Sequence, residues 1–594
     1  LSFGETFLKP LLEYFAVHPN VSEWYTTFAR WVFPLLAVVL LVKVIRSLLQ
    51  AENPAEVWAT LRFPNGNEVP LTHWENVIGR AKSADVIVGF PTVSRNHGTL
   101  VRDEDGKWFY NDLNSKSGSL INGNPVTEKT PISFVDTLTI GGGDFKLMPV
   151  PAKERRKNVK KRLFFSRPES PWSSLLLLTV FQFLAAFQFI VAYGTDCPIM
   201  SPVCLLCLTV VMWIYYFAMR AVHRVAFEME TIAFFLSTLG LCVCSTAAQD
   251  NIFKQFVAIL LGIGLFLLIS WFLQDLDRCK KVRLPLVILA VVALVFNLIF
   301  GQITYGAQNW VSIGGLSVQP SELVKIAFVF AGAATLDELF QKGNLTLYVV
   351  FSAICFAALG IMGDFGTALI FFVTFVVISF LRSGDFSKMI LILGGAAFGG
   401  MMILRFKPYI ASRFAAWGHV WEYASTTGYQ QTRTMSAAAS GGLVGVGGGN
   451  GWLHTVAASE TDLVFGILSE EWGLLIAVLA VLCILTLAVF AVKSISSGRS
   501  AFYTIAASAG ATLLVMQTIL NVFGSVDLLP LTGVTFPFVS SGGTSMMVSW
   551  GILAFLKAAD TRQNASFAVR LPEKKDFPKK KRKKGKGDMD YEKA

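Results

Sequence analysis

Charge is what this sequence has least of. Only 15% of its 594 residues are Asp, Glu, Lys or Arg, whereas 53% are hydrophobic and 49 are Phe. That is too apolar for a soluble chain of this length, and a bilayer is the solvent it fits. A disulfide framework is also lacking. Of the eight cysteines, Cys204, Cys207, Cys242, Cys244, Cys355 and Cys483 lie inside apolar runs. Cys204-x-x-Cys207 has no second pair or nearby His to complete a zinc site. They read as small apolar residues in helices. No cluster with metal-ligand spacing stands out; no cofactor is expected, and a divalent cation is left open. No cleavable signal peptide is expected, and the first residue, Leu1, leaves the start of the chain open. The glycine-rich run at 441–451 lacks Gly-Lys-Ser/Thr and follows no strand, which excludes a nucleotide loop.

What is present is a series of long apolar runs. A spanning helix needs roughly 20 apolar residues. One such run lies near 30–50, and about twelve more follow a polar block, giving about thirteen in all. They fall near 173–194, 200–220, 230–248, 254–274, 283–303, 320–341, 346–362, 364–382, 388–405, 464–493, 502–522 and 537–557. The formal charge of +11 is spread in short clusters between these runs, the pattern of loops facing anionic membrane lipid rather than of a nucleic-acid binder. Lys43 and Arg46 close the first run, and the basic stretch 153–162 precedes the second, which puts 51–152 in the cytoplasm. The tail at 561–594, with its run Lys579–Lys584, falls on the same side. Loops at 304–319, 363–366, 406–462 and 523–536 then fall outside. The long loop 406–462 carries Arg413 and Arg433 against the inside rule. Either an anionic ligand sits there or a long loop tolerates the charge. Arg405 and Lys407 read as interfacial side chains.

Residues 51–152 change character. Short alternating runs at 57–63, 85–89, 99–102 and 107–110 are broken by Asn-Gly and Asp-Gly turns, clearest at Asp103-Glu-Asp-Gly106. That predicts a small all-β domain with hairpins. Within it stand Gly79-Arg80, then Ser94-Arg-Asn-His97, then Asp112-Leu-Asn-Ser-Lys-Ser-Gly118. This order resembles the forkhead-associated (FHA) domain, a β-sandwich whose loops bind phosphothreonine peptides. The resemblance implies that Arg80 and Ser94 hold the phosphate, with Arg95, Lys116 and Ser117 around the peptide and His97 as a brace behind the loop. Lys116 and Ser117 stand where the family pattern has Thr and Asn, so either a phosphopeptide site or a docking module results.

In the membrane body, Trp310-Val-Ser-Ile-Gly-Gly-Leu-Ser-Val-Gln-Pro-Ser-Glu-Leu-Val-Lys325 opens a helix, with Glu322 and Lys325 on one face where they can pair. Then come Gly363-Asp-Phe-Gly-Thr367, Gly428-Tyr-Gln-Gln431, Glu460-Thr-Asp-Leu-Val-Phe465, Ser469-Glu-Glu-Trp-Gly473 and the stretch Leu529–Ser545. On residues alone, Asp462 is either a helix N-cap or a functional carboxylate at the membrane boundary. Asp364, which interrupts a helix pair, is either structural or cavity-lining. Ser540–Ser545 suggests close helix packing.

That series, in that order, resembles the SEDS family (FtsW, RodA, SpoVE) over roughly 229–560. The resemblance implies an inverting glycosyltransferase polymerising lipid II at the outer face of the cell membrane, in division, elongation or sporulation. It places Asp462 at the family's acidic catalytic position. His454 stands where some members have a second acidic residue, and Glu460 is a substitute. Arg413 and Arg433 are candidates for the diphosphate. Glu322, Lys325, Gln319, Gln431 and Asp364 are candidates for shaping the substrate cavity. A class B penicillin-binding protein is the expected membrane partner, and a phosphothreonine protein or Ser/Thr kinase the partner of the FHA-like domain. A lipid-precursor flippase and a non-catalytic cell-wall scaffold are the competing readings. The expected fold is thus a polytopic α-helical membrane protein carrying a small all-β sandwich. The anchor at 1–50 and two helices within 153–228 are additions to the family core.

Overall fold

The computed structural model describes residues 13–49, 56–151, 170–333, 342–383 and 408–566, apart from a few single positions and pairs, and short stretches between 389 and 405. The basic linker, the helix expected at 388–405 and the basic tail lie largely outside the described residues.

A long helix, α1 (Pro19–Leu49), leads into eleven strands. They are β1 (Ala59–Arg62), β2 (Glu68–Leu71), β3 (Glu75–Gly79), β4 (Val86–Ile87), β5 (Gly98–Arg102), β6 (Trp108–Asp112), β7 (Ser119–Ile121), β8 (Asn124–Pro125), β9 (Thr130–Ile132), β10 (Thr137–Ile140) and β11 (Gly143–Pro149). They form two antiparallel-dominated sheets, in the order β2-β1-β11-β10-β7-β8 and β4-β3-β5-β6-β9. The alternation read in the sequence is what builds this sandwich. Leu61, Ile78, Leu100, Tyr110, Phe145 and Leu147 point inward from the two sheets and are fully buried. The hairpin at Asp103–Gly106 joins β5 (Gly98–Arg102) to β6 (Trp108–Asp112) in register.

The remainder is helical: α2 (Trp172–Tyr193), α3 (Met200–Ala221), α4 (Glu228–Ala247), α5 (Ile252–Phe272), α6 (Leu276–Phe300), α7 (Pro320–Ala333), α8 (Lys342–Met362), α9 (Phe365–Ser383), α10 (Pro408–Ala416), α11 (Tyr429–Gly441), α12 (Ser459–Asp462), α13 (Val464–Ile467), α14 (Leu474–Ser494), α15 (Ala501–Ser525) and α16 (Gly543–Ala558). Among the described residues, nine helices are long and apolar enough to cross a membrane. The pair expected at 346–382 is two helices broken at Gly363-Asp364, where Asp364 Oδ1 accepts the Thr367 N–H at 3.0 Å as the N-cap of α9.

Several boundaries differ from the hydropathy reading. Helix α1 starts at Pro19 rather than 30, because its N-terminal end is polar and invisible to an apolar window. The run 464–493 is not one helix: a π-turn at Leu468–Trp472 and Gly473 at φ 91° separate α13 from α14. The run 537–557 begins only at Gly543, since Ser540 Oγ accepts the Phe536 N–H (2.8 Å) and closes a turn first. The loop 304–319 contains a three-stranded sheet, β12-β13-β14 (Gln302–Thr304, Ala307–Ile313, Leu316–Val318), which the hydropathy argument did not foresee.

A buried ionic cluster ties chain ends together. Beyond α16, Arg562 pairs with both oxygens of Glu228 at 2.9 and 3.0 Å and with Asp560 at 2.7 Å. Glu228 also accepts the Ser47 hydroxyl from α1. Lys557 pairs with Glu230 at 3.0 Å, and Tyr215 of α3 donates to Glu230 at 3.2 Å. The sandwich docks nearby: Glu75 accepts the Ser500 hydroxyl (2.9 Å) and the Ala501 N–H (3.0 Å) at the start of α15. Removing one member of a buried ionic cluster strands the others in a low-dielectric interior. Arg562→Met is therefore expected to cost about 3–5 kcal/mol, seen as a large drop in the melting temperature of the detergent-solubilised protein.

Candidate functional site

One cavity of about 690 Å³ collects the segments expected on a single side of the bundle. Its walls come from β13 (Asn309, Trp310), the start of α7, the Gly363–Thr367 break, α10, α12 and the stretch Leu529–Thr535. Five sequence-predicted residues meet there: Gln319, Glu322, Asp364, Arg413 and Asp462. Lys325 lies under the wall, fully buried, with Nζ 2.5 Å from Glu322 Oε1. Asp364 Oδ2 accepts from Asn309 Nδ2 at 2.8 Å, and burial raises its pKa above the usual carboxylate value. Arg413 donates to the Leu531 carbonyl at 2.9 Å.

Gln431 and Arg433 do not line this cavity. Gln431 is buried on α11, and Arg433 is exposed with its guanidinium 5.2 Å from the Tyr429 ring centroid. His454 is exposed in a turn outside the cavity, whereas Glu460 is on its wall.

Asp462 ends the one-turn helix α12 and does not cap α13, whose N-cap is Leu463 without a side-chain bond. The backbone here is heavily braced. Asn521 Nδ2 donates to the carbonyls of Asp462 (3.1 Å) and Val534 (2.8 Å) and reaches that of Thr461 at 3.4 Å. Ser540 Oγ donates to Thr461 O at 2.6 Å, and the Ser541 N–H to Glu460 O at 2.8 Å. Gly533 adopts φ 70°, and a Cβ there would stand 3.3 Å from Asp462 Oδ2, so glycine leaves room beside the carboxylate. Burial pushes the Asp462 pKa up to about 6; the Thr461 hydroxyl and Arg413 pull it down and Glu460 raises it. A carboxylate poised that near neutrality, on a cavity wall and within the field of a guanidinium, is suited to take a proton at physiological pH. Asn521 and Ser540 were not singled out as braces in the sequence, because the contacts they make span long separations.

Behind this wall, the glycine-rich loop wraps two buried carboxylates. Glu470 accepts the N–H groups of Trp452 (2.9 Å) and Leu453 (3.0 Å); Glu471 accepts the Gly449 N–H (3.2 Å) and the Thr246 hydroxyl (2.9 Å). Gly445, Gly447 and Gly449 take positive φ values of 81°, 103° and 85°, which turns the backbone around these acceptors. Among the described residues, no group of three or more His, Cys, Asp or Glu could hold a metal ion.

At the far end of the sandwich, Arg80, Arg95, Lys116 and Ser117 are exposed on neighbouring loops. His97 is fully buried: its Nδ1 accepts the Ser94 N–H (3.1 Å) and its Nε2 bonds the Gly118 carbonyl (3.2 Å). Burial lowers its pKa, so it stays neutral as a brace. Ser94 Oγ accepts the Lys116 N–H at 3.0 Å and Ser117 Oγ donates to Thr92 O at 3.0 Å, which sets the two loops against each other.

The fold and these two sites define a multi-pass membrane protein with a cavity around an ionisable carboxylate and a phosphopeptide-type β-sandwich. Residues 225–565 match the FtsW/RodA/SpoVE model, described as a cell cycle protein, and the chain belongs to that family. Residues 76–141 match the FHA domain. The RodA peptidoglycan glycosyltransferase of Mycobacterium bovis is 28% identical over 51% of this chain and 69% of its own length. An FtsW of Alcanivorax borkumensis is 30% identical over 53% of this chain and 85% of its own. A solved chain from a peptidoglycan synthase complex aligns over 56% of this chain and 96% of its own, at 24% identity and a TM-score of 0.46.

Replacing Asn521 by Leu keeps its branched shape but leaves the Asp462 and Val534 carbonyls without their donor. The expected loss is about 1–3 kcal/mol, read as a lowered melting temperature that Asn521→Gln only partly reproduces.

Proposed function

We propose that this protein is a peptidoglycan glycosyltransferase that polymerises lipid II at the outer face of the cell membrane, with Asp462 as its base. The observation that carries the reading is Asp462 itself: a carboxylate on the wall of a large cavity, its pKa raised to about 6 and in the field of Arg413. The acceptor sugar hydroxyl gives its proton to Asp462 as its oxygen attacks the donor's anomeric carbon. The bond from that carbon to the diphosphate breaks, the configuration inverts, and the polyprenyl diphosphate leaves with both bond electrons. Arg413 is the cation placed to offset the charge that develops on the leaving group. Glu322, Gln319 and Asp364 line the same cavity.

The charge pattern supports the orientation. Every cavity segment outside the helices belongs to a loop expected outside, while the sandwich, expected inside, contacts Arg499–Ala501. The FHA domain would then read phosphorylated proteins in the cytoplasm, supplied by a Ser/Thr kinase. Arg80 and Lys116 would meet the phosphate. A class B penicillin-binding protein would be the crosslinking partner in the membrane.

Three outcomes check this. With labelled lipid II and the purified chain, supplied with such a partner, wild type forms glycan strands and Asp462→Asn loses about 10²–10⁴-fold in rate; equal product from both removes Asp462 from the role. Because the base must be ionised and its pKa is raised, turnover is absent well below pH 6 and rises through about pH 6 toward a plateau. An acidic limb centred near pH 4 would mean that Asp462 is not the titrating group. For the sandwich, Arg80→Ala weakens binding of a phosphothreonine peptide by about tenfold or more in calorimetry, and the unphosphorylated peptide shows no binding to either form.

A further inference from the structure

The helices that precede the family-matched region reach the glycine-rich loop. Gln188, on the outer part of α2, is 1% exposed. Its Nε2 donates to the Gly448 carbonyl at 3.2 Å and to Thr26 Oγ1 of α1 at 3.3 Å. A primary amide buried between apolar helices is costly unless it is bonded; here the Nε2 bonds go to the loop and to the neighbouring helix, while Oε1 has no partner among the described residues. The approach leaves no slack. A Cβ on Gly447 would lie 2.5 Å from Thr26 Cγ2, and one on Gly449 would lie 3.1 Å from Ala192 Cβ of α2. A Cβ on Gly448 would lie 2.7 Å from the ring of Trp472. That ring packs in turn on Phe33 of α1 (4.8 Å between centroids) and on Phe181 and Phe189 of α2 (6.2 and 6.1 Å).

The same loop is the one clamped by Glu470 and Glu471, and it runs through Leu453 into the segment that ends at Asp462. The family match begins at residue 225, so α1 and α2 lie outside it. We infer that Gln188, backed by Thr26, is a positioning residue: the α1–α2 pair forms a wall against which the glycine-rich loop is set, and through that loop the pair fixes the placement of Asp462. The kinetic consequence rests on the polymerase reading; the loop contact does not.

The experiment uses the full chain in detergent with two variants. Gln188→Met keeps the length and apolar fit and removes the donor. Thr26→Leu presses on Gly447 from the other helix, and reads the loop independently should the first variant fold poorly. Amide exchange is followed by mass spectrometry, and lipid II polymerisation is measured on the same preparations. The expected result is exchange about 2- to 10-fold faster confined to 445–453. It is accompanied by a kcat lowered by a similar factor, an unchanged KM for lipid II and an unchanged melting temperature. Unchanged loop exchange in folded variants overturns the contact whether or not any form of the protein polymerises. Faster exchange spread through α2, or a fall in melting temperature that accounts for the lost rate, reduces Gln188 to a packing residue. Faster loop exchange with kcat intact overturns the positioning role while leaving the polymerase reading in place.

Discussion

Two adjacent glutamates buried at the head of α14 organise the part of this molecule around the glycine-rich loop and the cavity. Glu470 and Glu471 accept hydrogen bonds from the loop backbone, and both are 1% exposed. Buried acceptors of this kind require donors, and the nearest supply is the backbone of the glycine-rich loop. Glycine permits the close approach and the left-handed turns this needs. The π-turn at Leu468–Trp472 and the break at Gly473 carry these two side chains into the loop, in place of a continuous helix. The segment between the loop and α13 is thereby set in place, and Asp462 lies at its end.

Asp462 is held from the opposite side by a second layer of contacts. Asn521 gathers carbonyls from two separate segments, and the Phe536–Ser541 turn adds Ser540 and Ser541 to the Glu460–Thr461 backbone. These contacts keep a buried carboxylate at a fixed point of the cavity wall, the preorganisation that the proposed role as base calls for. The C-terminal end of α1 is secured differently, by the Arg562, Asp560 and Glu228 cluster, which also engages Ser47. Helix α1 thus touches the ionic cluster at one end and the glycine-rich loop at the other, and the FHA sandwich follows it in the chain.

Much of this was legible in the sequence. Apolar run length located the helices whose whole length is apolar, such as α2, α3 and α5, and β alternation located the sandwich. Ordered motifs carried Glu322, Asp364 and Asp462 to one cavity. What escaped follows from what hydropathy cannot register. The polar start of α1 and the turns ahead of α14 and α16 depend on individual hydrogen bonds within otherwise apolar stretches. Asn521 and Gln188 look like isolated polar residues in spanning helices, and their partners lie far away in the chain. Arg433 and Gln431 shared a loop with Arg413, but the helix α11 that carries them faces away from the cavity, a direction that loop membership does not encode.

The central claim is that the cavity around Asp462 is where a lipid-linked sugar donor and an acceptor meet. The most direct measurement is a cryo-EM structure of the full chain, as Asp462→Asn, with lipid II bound. The account predicts diphosphate density beside Arg413 and an acceptor hydroxyl within hydrogen-bond distance of residue 462. Lipid II bound elsewhere, with the cavity filled only by water, would contradict it.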